Sequence, residues 1–315
     1  MTTDAAIRVE GLVKHYGGPS GIRAVDGLDL EVHRGEIFGL LGPNGAGKTT
    51  TIGVCTTRVF ATSGHVLVHG IDVAADPAFA KRFIGVVTQY NTLDRSCTVW
   101  ENLYFHGRYF GLPRTAARQR ADALLDRFRL ADRRDAMPDE LSGGMAQRLQ
   151  VARAISHGPA VLFLDEPTAG LDPQSRLALW ATVRELRDEG TAVFLTTHNM
   201  LEADELCGRV AIIDHGKILT CDAPEVLKRG TGAETVIDLR VDGARAALAE
   251  TLRTLPHVAS VTETKDGLRL LSSARENMLQ RVVEAARGHA IADISIREPT
   301  LETVFIELTG RALRD

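Results

Sequence analysis

Long apolar runs and paired cysteines are both missing from this chain of 315 residues. No run approaches the roughly 18–20 apolar residues of a membrane-spanning helix, and the first residues do not show the basic-then-apolar form of a signal peptide. The cysteines stand apart, without the spacing of a zinc site or a disulfide framework: Cys55, Cys97, Cys207 and Cys221. We therefore expect a protein that is neither secreted nor embedded in a membrane by itself.

A strong excess of one charge is also missing. The formal net charge is -4, which gives no electrostatic basis for nucleic acid as the main partner. Hydrophobic residues make up 44% and charged residues 25%, as in ordinary globular proteins. The length allows one large domain and one small one.

A glycine-rich segment stands out against this ordinary composition. It is Gly42-Pro43-Asn44-Gly45-Ala46-Gly47-Lys48-Thr49-Thr50, and it follows the apolar run Glu36–Leu41. We refer to residues 42–50 as the phosphate loop, because the spacing G-x-x-x-x-G-K-[ST] turns a strand sharply into a helix and directs backbone N–H groups at one anion. Lys48 would then reach the β- and γ-phosphates of a nucleotide, and the Thr49 hydroxyl would ligate Mg²⁺.

Three predicted apolar strands each end in polar residues. They are Ile84–Thr88 before Gln89, Val161–Leu164 before Asp165-Glu166, and Ala192–Thr196 before Thr197-His198. Open α/β sheets bind their ligands at the carboxyl ends of such strands. A histidine at a strand end is usually a plain surface residue, but the position of His198 level with Asp165 and Glu166 favours a functional role.

A helical block is inserted between these strands. Helical spacing runs from Val99 to about Leu130 with a break at 111–113, and a polar connector then leads to Leu141-Ser142-Gly143-Gly144 and a helix that ends near His157. We expect Ser142 to cap that helix and Gly143 and Gly144 to leave N–H groups open to an anion. Asp172-Pro173 likewise predicts the start of a helix.

Two domains are predicted. The first, residues 1–229, contains the inserted helical subdomain at about 91–158, and Gly230-Thr231-Gly232 has the composition of a linker. The second, residues 230–315, has the pattern strand, helix, strand, strand, helix, strand, followed by a terminal helix. That order is typical of a ferredoxin-like α+β module.

These motifs together resemble the ATP-binding subunits of ABC transporters over about residues 5–228. The matching elements follow the family's order: the phosphate loop, Gln89, Leu141–Gly144, Asp165-Glu166, Ala169–Asp172 and His198. The Leu-Ser-Gly-Gly element separates this family from other phosphate-loop ATPases, although Met145 after it stands where the family most often has Gln. The segment 299–311 is similar to the tail of daunorubicin-resistance-type drug-efflux ATPases. The resemblance implies an α/β phosphate-loop NTPase fold with a mixed sheet core.

The resemblance also implies a role for each motif. The phosphate loop would hold the phosphates of ATP, while Thr49, Gln89 and Asp165 would surround Mg²⁺. Glu166 would polarise the attacking water, and His198 would contact the γ-phosphate. Tyr16, at the start of a loop predicted over 14–21, would stack on the adenine; the alternative is a plain surface tyrosine. Ser142, Gly143, Gly144 and Asp172 are expected among the ATP-binding residues, with the Ser-Gly-Gly group acting on the ATP of a facing copy in a head-to-tail homodimer.

The implied function is an ATPase that drives export of a hydrophobic compound, of drug or antibiotic type, through a separate membrane subunit. That subunit would bind near Gln89–Leu103 and hold the chain at the cytoplasmic face of the plasma membrane. Two alternatives remain: export of lipid or polysaccharide, and a soluble ABC ATPase of DNA repair, translation or iron–sulfur assembly. The sequence contains neither the long coiled-coil insertions of the repair members nor the two ATPase halves of the translation members.

Overall fold

The computed structural model describes residues 5–17, 21–242 and 245–310. Residues 18–20 of the predicted loop and Arg311 of the compared tail lie outside that range. Contacts divide the described residues into two compact units, with the division between Cys221 and Asp222. Within the described residues, no helix combines the length and the apolar character that crossing a membrane requires.

The first unit alternates strands with helices. In chain order its elements are β1 (Ala5–Tyr16), β2 (Ile22–His33), β3 (Ile37–Leu41), α1 (Lys48–Cys55), β4 (Ser63–Val68), β5 (Ile71–Asp72), α2 (Pro77–Ala80), β6 (Ile84–Val87), α3 (Val99–Tyr109), α4 (Arg114–Arg127), α5 (Gly143–Ala154), β7 (Val161–Asp165), α6 (Pro173–Asp188), β8 (Ala192–Thr197), α7 (Met200–Leu206), β9 (Arg209–Asp214) and β10 (Lys217–Asp222).

A central sheet with the order β10-β9-β3-β8-β7-β6 carries the predicted site. Strand β3 is parallel to β8 and β9, and β7 is parallel to β6 and β8. Every residue of β3, β7 and β8 is buried, as expected for strands that are covered on both faces. The carboxyl ends of these strands therefore meet at one edge, as the sequence predicts.

An antiparallel sheet with the order β2-β1-β4-β5 begins the same unit. Strands β1 and β2 stay paired as far as Tyr16 and Ile22, so the prediction of a loop beginning at Lys14 was wrong. Backbone pairing extends the hairpin through residues whose side chains are partly exposed. Tyr16 therefore pairs with Ile22, two residues before Ala24, which lines the cavity described below.

The helical subdomain has the predicted break and the predicted cap. Helices α3 and α4 are separated at residues 110–113. A capping box begins α3, in which the Glu101 N–H donates to Thr98 Oγ1 (3.2 Å) and the Thr98 N–H donates to the Glu101 carboxylate (2.8 Å). Ser142 caps α5 and its Oγ accepts from the Met145 N–H at 3.3 Å, which confirms the prediction.

The second unit is a small antiparallel module. It comprises α8 (Pro224–Gly230), β11 (Thr235–Asp242), α9 (Arg245–Arg253), β12 (Val258–Thr264), β13 (Gly267–Ser272), α10 (Met278–Ala285), β14 (Ala290–Arg297) and α11 (Leu301–Thr309). The sheet order is β12-β13-β11-β14, and α9 and α10 pack on its apolar face. The predicted βαββαβ order is confirmed.

The division by contacts falls earlier than the predicted boundary at 229/230. Helix α8 belongs to the second unit, where it contacts α11, and its Leu227 is only 6% exposed. The sequence predicts the boundary at Gly230 and Gly232 because their composition is typical of a linker. Composition does not show which elements helix α8, which ends at Gly230, packs against. Independent folding of the two units remains a prediction.

Candidate functional site

The phosphate loop turns β3 into α1 at positions that tolerate only glycine. Gly47 has a φ of +109°, and a Cβ at this position would lie 2.4 Å from the carbonyl oxygen of Ala24. A Cβ on Gly42 would lie 2.2 Å from the carbonyl oxygen of Ile213. The Gly42 N–H also donates to the Thr197 carbonyl (3.3 Å), which ties the loop to the end of β8. The loop is thus held with the first turn of α1 open, and N–H groups there have no intrahelical acceptor.

Lys48 is buried at the base of this loop. Its side chain is 4% exposed, and Nζ donates to the carbonyl oxygens of Gly42 (2.8 Å) and Pro43 (3.1 Å). Burial lowers the pKa of Lys48, while the carboxylate of Glu166 acts in the opposite direction. The loop itself therefore fixes the position of the ammonium group.

Glu166 lies between two basic side chains. Its Oε1 is 3.3 Å from Lys48 Nζ and its Oε2 is 3.1 Å from His198 Nδ1, although the histidine contact does not have hydrogen-bond geometry. The backbone at Glu166 has a φ of +49°, and its N–H donates to the Thr196 carbonyl at 3.0 Å. This left-handed conformation directs the carboxylate of Glu166 towards Lys48 and His198 and away from the strand direction.

A set of oxygen ligands lies beside the loop. Thr49 Oγ1 donates to Asp165 Oδ1 at 3.4 Å, and Thr196 Oγ1 donates to the same oxygen at 2.6 Å. Gln89 lines the same cavity as Thr49. Hydroxyl, carboxylate and amide oxygens are the ligands that a hard cation prefers, so Thr49, Asp165 and Gln89 fit Mg²⁺.

The structure brings most of the predicted site together around one cavity of about 260 Å³. Its lining is Ala24, Asn44, Gly45, Gly47, Lys48, Thr49, Thr50, Gln89 and Glu166. Pro43 and Ala46, two other residues of the phosphate loop, stabilise its turn, because the Ala46 N–H donates to the Pro43 carbonyl at 3.1 Å. Asp165 joins the group through Thr49, and His198 joins it through Glu166.

The other predicted residues lie outside this lining. Tyr16 is 43% exposed, and Lys14 Nζ lies 4.7 Å from its ring centroid. Asp172 caps α6, accepting from the N–H groups of Gln174 and Ser175 at 3.0 Å. Ser142 and Gly143 are exposed at the start of α5. A Cβ on Gly144 would lie 2.3 Å from Ser175 Oγ, so glycine permits close contact between α5 and α6.

Sequence reasoning missed two residues of this site. Thr196 positions both Asp165, through its hydroxyl, and Glu166, through its carbonyl. Ala24 lines the cavity and restricts Gly47 to glycine. Thr196 was detectable in principle, because it lies opposite Asp165 in the parallel register of β7 and β8. No local sequence pattern identifies Ala24 as a residue of the site.

Comparisons with known proteins agree with this geometry. Residues 25–169 match the family model described as ABC transporter. The daunorubicin/doxorubicin resistance ATP-binding protein DrrA of Streptomyces peucetius is 42% identical, over 98% of this chain and 94% of the relative. The linearmycin resistance ATP-binding protein LnrL of Bacillus subtilis (strain 168) is 37% identical, over 98% and 100%.

A third relative and one solved structure extend these comparisons. The Nod factor export ATP-binding protein I of Ralstonia nicotianae is 40% identical, over 98% of this chain and 95% of the relative. A dimeric bacterial ABC transporter cassette superposes with a TM-score of 0.64 at 25% identity, over 69% of this chain and 98% of that chain. With these matches and the phosphate loop geometry, the chain belongs to the ABC transporter family, as an ATP-binding protein with ATPase activity.

Proposed function

We propose that two copies of this chain bind two MgATP in a head-to-tail dimer and couple hydrolysis to export of a hydrophobic compound through a separate membrane subunit. The observation that carries this proposal is the Glu166 carboxylate, which stands between Lys48 and His198 at the phosphate loop. A carboxylate there can accept a proton from water that attacks a phosphate held by Lys48.

The residues of the cavity divide the chemistry between them. The Lys48 ammonium and the open N–H groups of the phosphate loop oppose the negative charge of the phosphates. Arrival of the phosphates gives Lys48 a second anion, which frees Glu166 to orient and deprotonate water. His198 contacts the γ-phosphate. Thr49, Gln89 and Asp165 would hold Mg²⁺, which would supply positive charge to neutralise the phosphate oxygens.

The adenine is assigned to Tyr16. Its ring is exposed on β1, and pairing of β1 with β2 brings it near Ala24 on the cavity wall. An exposed aromatic face beside a nucleotide cavity favours stacking with a base. A Tyr16→Ala variant that binds ATP as the wild type does would leave Tyr16 as a plain surface residue.

Dimerisation is supported by residues that the cavity does not use. Ser142, Gly143 and Gly144 lie at the start of helix α5, where Ser142 and Gly143 are exposed, and none of the three lines the cavity of its own chain. They complete the site of a facing copy, with Asp172 at the neighbouring start of α6. The solved structure described as a dimeric ABC transporter cassette supports a dimer of this chain.

The membrane subunit docks near Gln89–Leu103 and keeps the ATPase at the cytoplasmic face of the plasma membrane. Within this region Tyr90 is 77% exposed, which suits a contact with another protein. The relatives named for daunorubicin, doxorubicin and linearmycin resistance support a drug or antibiotic as cargo.

Export of a lipid or polysaccharide is the second candidate, and the relative named for Nod factor export supports a cargo other than a drug. A transport assay with the reconstituted membrane subunit separates the two cargo classes. A soluble ABC ATPase without a membrane partner is the third reading. It predicts an ATPase rate that no membrane protein changes.

The test of the proposed function is Glu166→Gln. The amide keeps the shape of the side chain but cannot deprotonate water, so hydrolysis should be lost while ATP binding remains and an ATP-stabilised dimer accumulates. Size-exclusion chromatography with and without ATP, together with phosphate release, measures both effects. Normal hydrolysis by this variant in the assembled transporter would show that Glu166 is not the base.

A further inference from the structure

Glu202 is a buried carboxylate that the proposed chemistry does not use. It lies in the first turn of α7, it is 1% exposed, and its Oε1 accepts a hydrogen bond from the indole Nε1 of Trp180 at 3.2 Å. Trp180, on α6, is itself only 4% exposed. The contact therefore links two helices inside the first unit.

Local helix capping does not account for the position of this carboxylate. Asn199 and Glu202 have the spacing of a capping box, and Asn199 Oδ1 accepts from the Glu202 N–H at 3.2 Å. The return bond is absent, because the Asn199 N–H donates to Thr197 Oγ1 at 2.9 Å instead. The Glu202 side chain points to α6 instead, so only one of the two hydrogen bonds of a capping box is formed.

Stability does not account for it either. A buried carboxylate that accepts from one neutral N–H loses more hydration than that single bond returns, and apolar residues of similar volume often stabilise such positions. The gain from Glu202 must be one of orientation.

The two linked helices begin at residues of the proposed site. Helix α7 follows His198 directly, through the cap Asn199. Helix α6 begins at Asp172, whose carbonyl accepts from the Arg176 N–H at 3.0 Å, and the Arg176 guanidinium carbon lies 5.5 Å from the Trp180 ring centroid. One hydrogen bond thus links the first turn of α7 to the middle of α6, about two turns after Asp172.

We infer that Trp180 and Glu202 form a positioning pair that fixes the position of His198 relative to Glu166 and Asp172. The inference rests on the proposed contact between His198 and the γ-phosphate. Rotation of α7 moves the His198 backbone directly, whereas Lys48 Nζ is held by carbonyl oxygens of the phosphate loop itself. Loss of the pair therefore impairs steps that need the γ-phosphate and spares the binding of ADP.

Three variants of the full chain test this inference. Trp180→Phe keeps the ring but removes the donor, Glu202→Met removes the acceptor, and Glu202→Gln keeps an acceptor oxygen. We expect kcat to fall about tenfold in the first two, as for a small misplacement of a contacting group, and to stay near the wild-type value in the third. The ADP inhibition constant should not change in any of the three. The melting temperature should not fall in Glu202→Met, which removes the buried charge, but it should fall in Trp180→Phe, which leaves the carboxylate without its donor. Glu205→Gln, an exposed change on the same helix, is the matched control.

The outcomes separate the inference from the function beneath it. Loss of ADP affinity in parallel with kcat in Glu202→Met, in which no unpaired charge is left buried, shows a merely structural contact and overturns the inference. So does wild-type kcat in both Trp180→Phe and Glu202→Met when His198→Ala is impaired. An unimpaired His198→Ala overturns the proposed role of His198, and the inference with it.

Discussion

The ammonium of Lys48 and the carboxylate of Glu166 form an ion pair, with 3.3 Å between Nζ and Oε1 and with side chains only 4% and 9% exposed. The two groups come from different parts of the chain, the start of α1 and the end of β7. Phosphates that enter the loop must compete with this carboxylate for Lys48. The pair therefore links nucleotide binding to the release of the proposed base.

Lys48→Ala should reduce ATP affinity about a hundredfold or more, because it removes the charge that opposes the phosphates in a cavity with little water. It should also lower the melting temperature, since Glu166 is left buried without its partner. Adding Glu166→Gln to this variant should restore part of the stability but none of the binding. Lys81→Ala, at an exposed lysine of the same unit, is the control for titration by calorimetry. Wild-type affinity in Lys48→Ala would contradict the assignment of the phosphate loop.

Acid should destabilise the helical subdomain through two partly buried histidines, His106 and His157. Burial, aided by Arg153 and His157, lowers the pKa of His106 to about 3, and burial lowers the pKa of His157 to about 4. Both folded values lie below the ordinary value near 6.5, so only the unfolded chain takes up these protons between about pH 6.5 and 4. The contribution to stability is complete above pH 6.5 and is lost as the pH falls through that window.

The measurement is the free energy of unfolding at several pH values, in the wild type and in His106→Leu/His157→Phe. We expect a shallower loss between pH 6.5 and 4 in the double variant, because neither replacement binds a proton. His65→Asn is the control, as the His65 side chain is 75% exposed. Equal slopes in all three proteins would refute the argument.

Removal of the second unit should leave a fragment that still binds ATP. The site residues end at His198, and the two units have separate apolar cores. A fragment that ends at Cys221 should be more soluble than one that ends at Thr231, because the longer one exposes the apolar side of α8 that contacts α11. Light scattering and ATP titration compare the two. Loss of binding in the shorter fragment would show that the second unit is part of the ATPase core.

The ATPase rate of the purified chain should be weak and should rise with concentration, because a site that needs a second copy must first meet the cost of association. The membrane subunit should stimulate the rate by holding two copies at a high effective concentration. Tyr90→Ala should lose the stimulation and keep the basal rate, whereas Tyr109→Ala, also an exposed tyrosine but outside the predicted docking region, should keep both. A rate per molecule that is constant with concentration and indifferent to the partner would favour a soluble ATPase.

Trp100 and Glu101, which also lie in the predicted docking region, are less suitable for that test. Glu101 closes the capping box of α3, and Trp100 Nε1 donates to Asp122 at 2.7 Å. Substitution of either residue removes an internal contact of the helical subdomain. A lost response to the partner would then have two explanations.

Motif spacing and apolar periodicity determined much of this protein. The phosphate loop, the strands that end in Asp165-Glu166 and His198, the cap at Ser142 and the βαββαβ order of the second unit all follow from local patterns. These features depend on backbone geometry within a few residues, or on which face of an element is apolar. Local backbone geometry and the apolar face of an element can each be predicted from residues that are close together in the sequence.

Only the tertiary structure decided which polar groups meet. The hairpin that extends to Tyr16, the packing of α8 with the second unit, the hydrogen bond from Thr196 to Asp165 and that from Trp180 to Glu202 each depend on contacts between elements distant in sequence. Periodicity shows that Glu202 lies on a helix, but not that this helix turns its carboxylate towards an indole. A buried polar group takes its partner from whichever element the fold brings beside it, and that is a property of the packed chain as a whole.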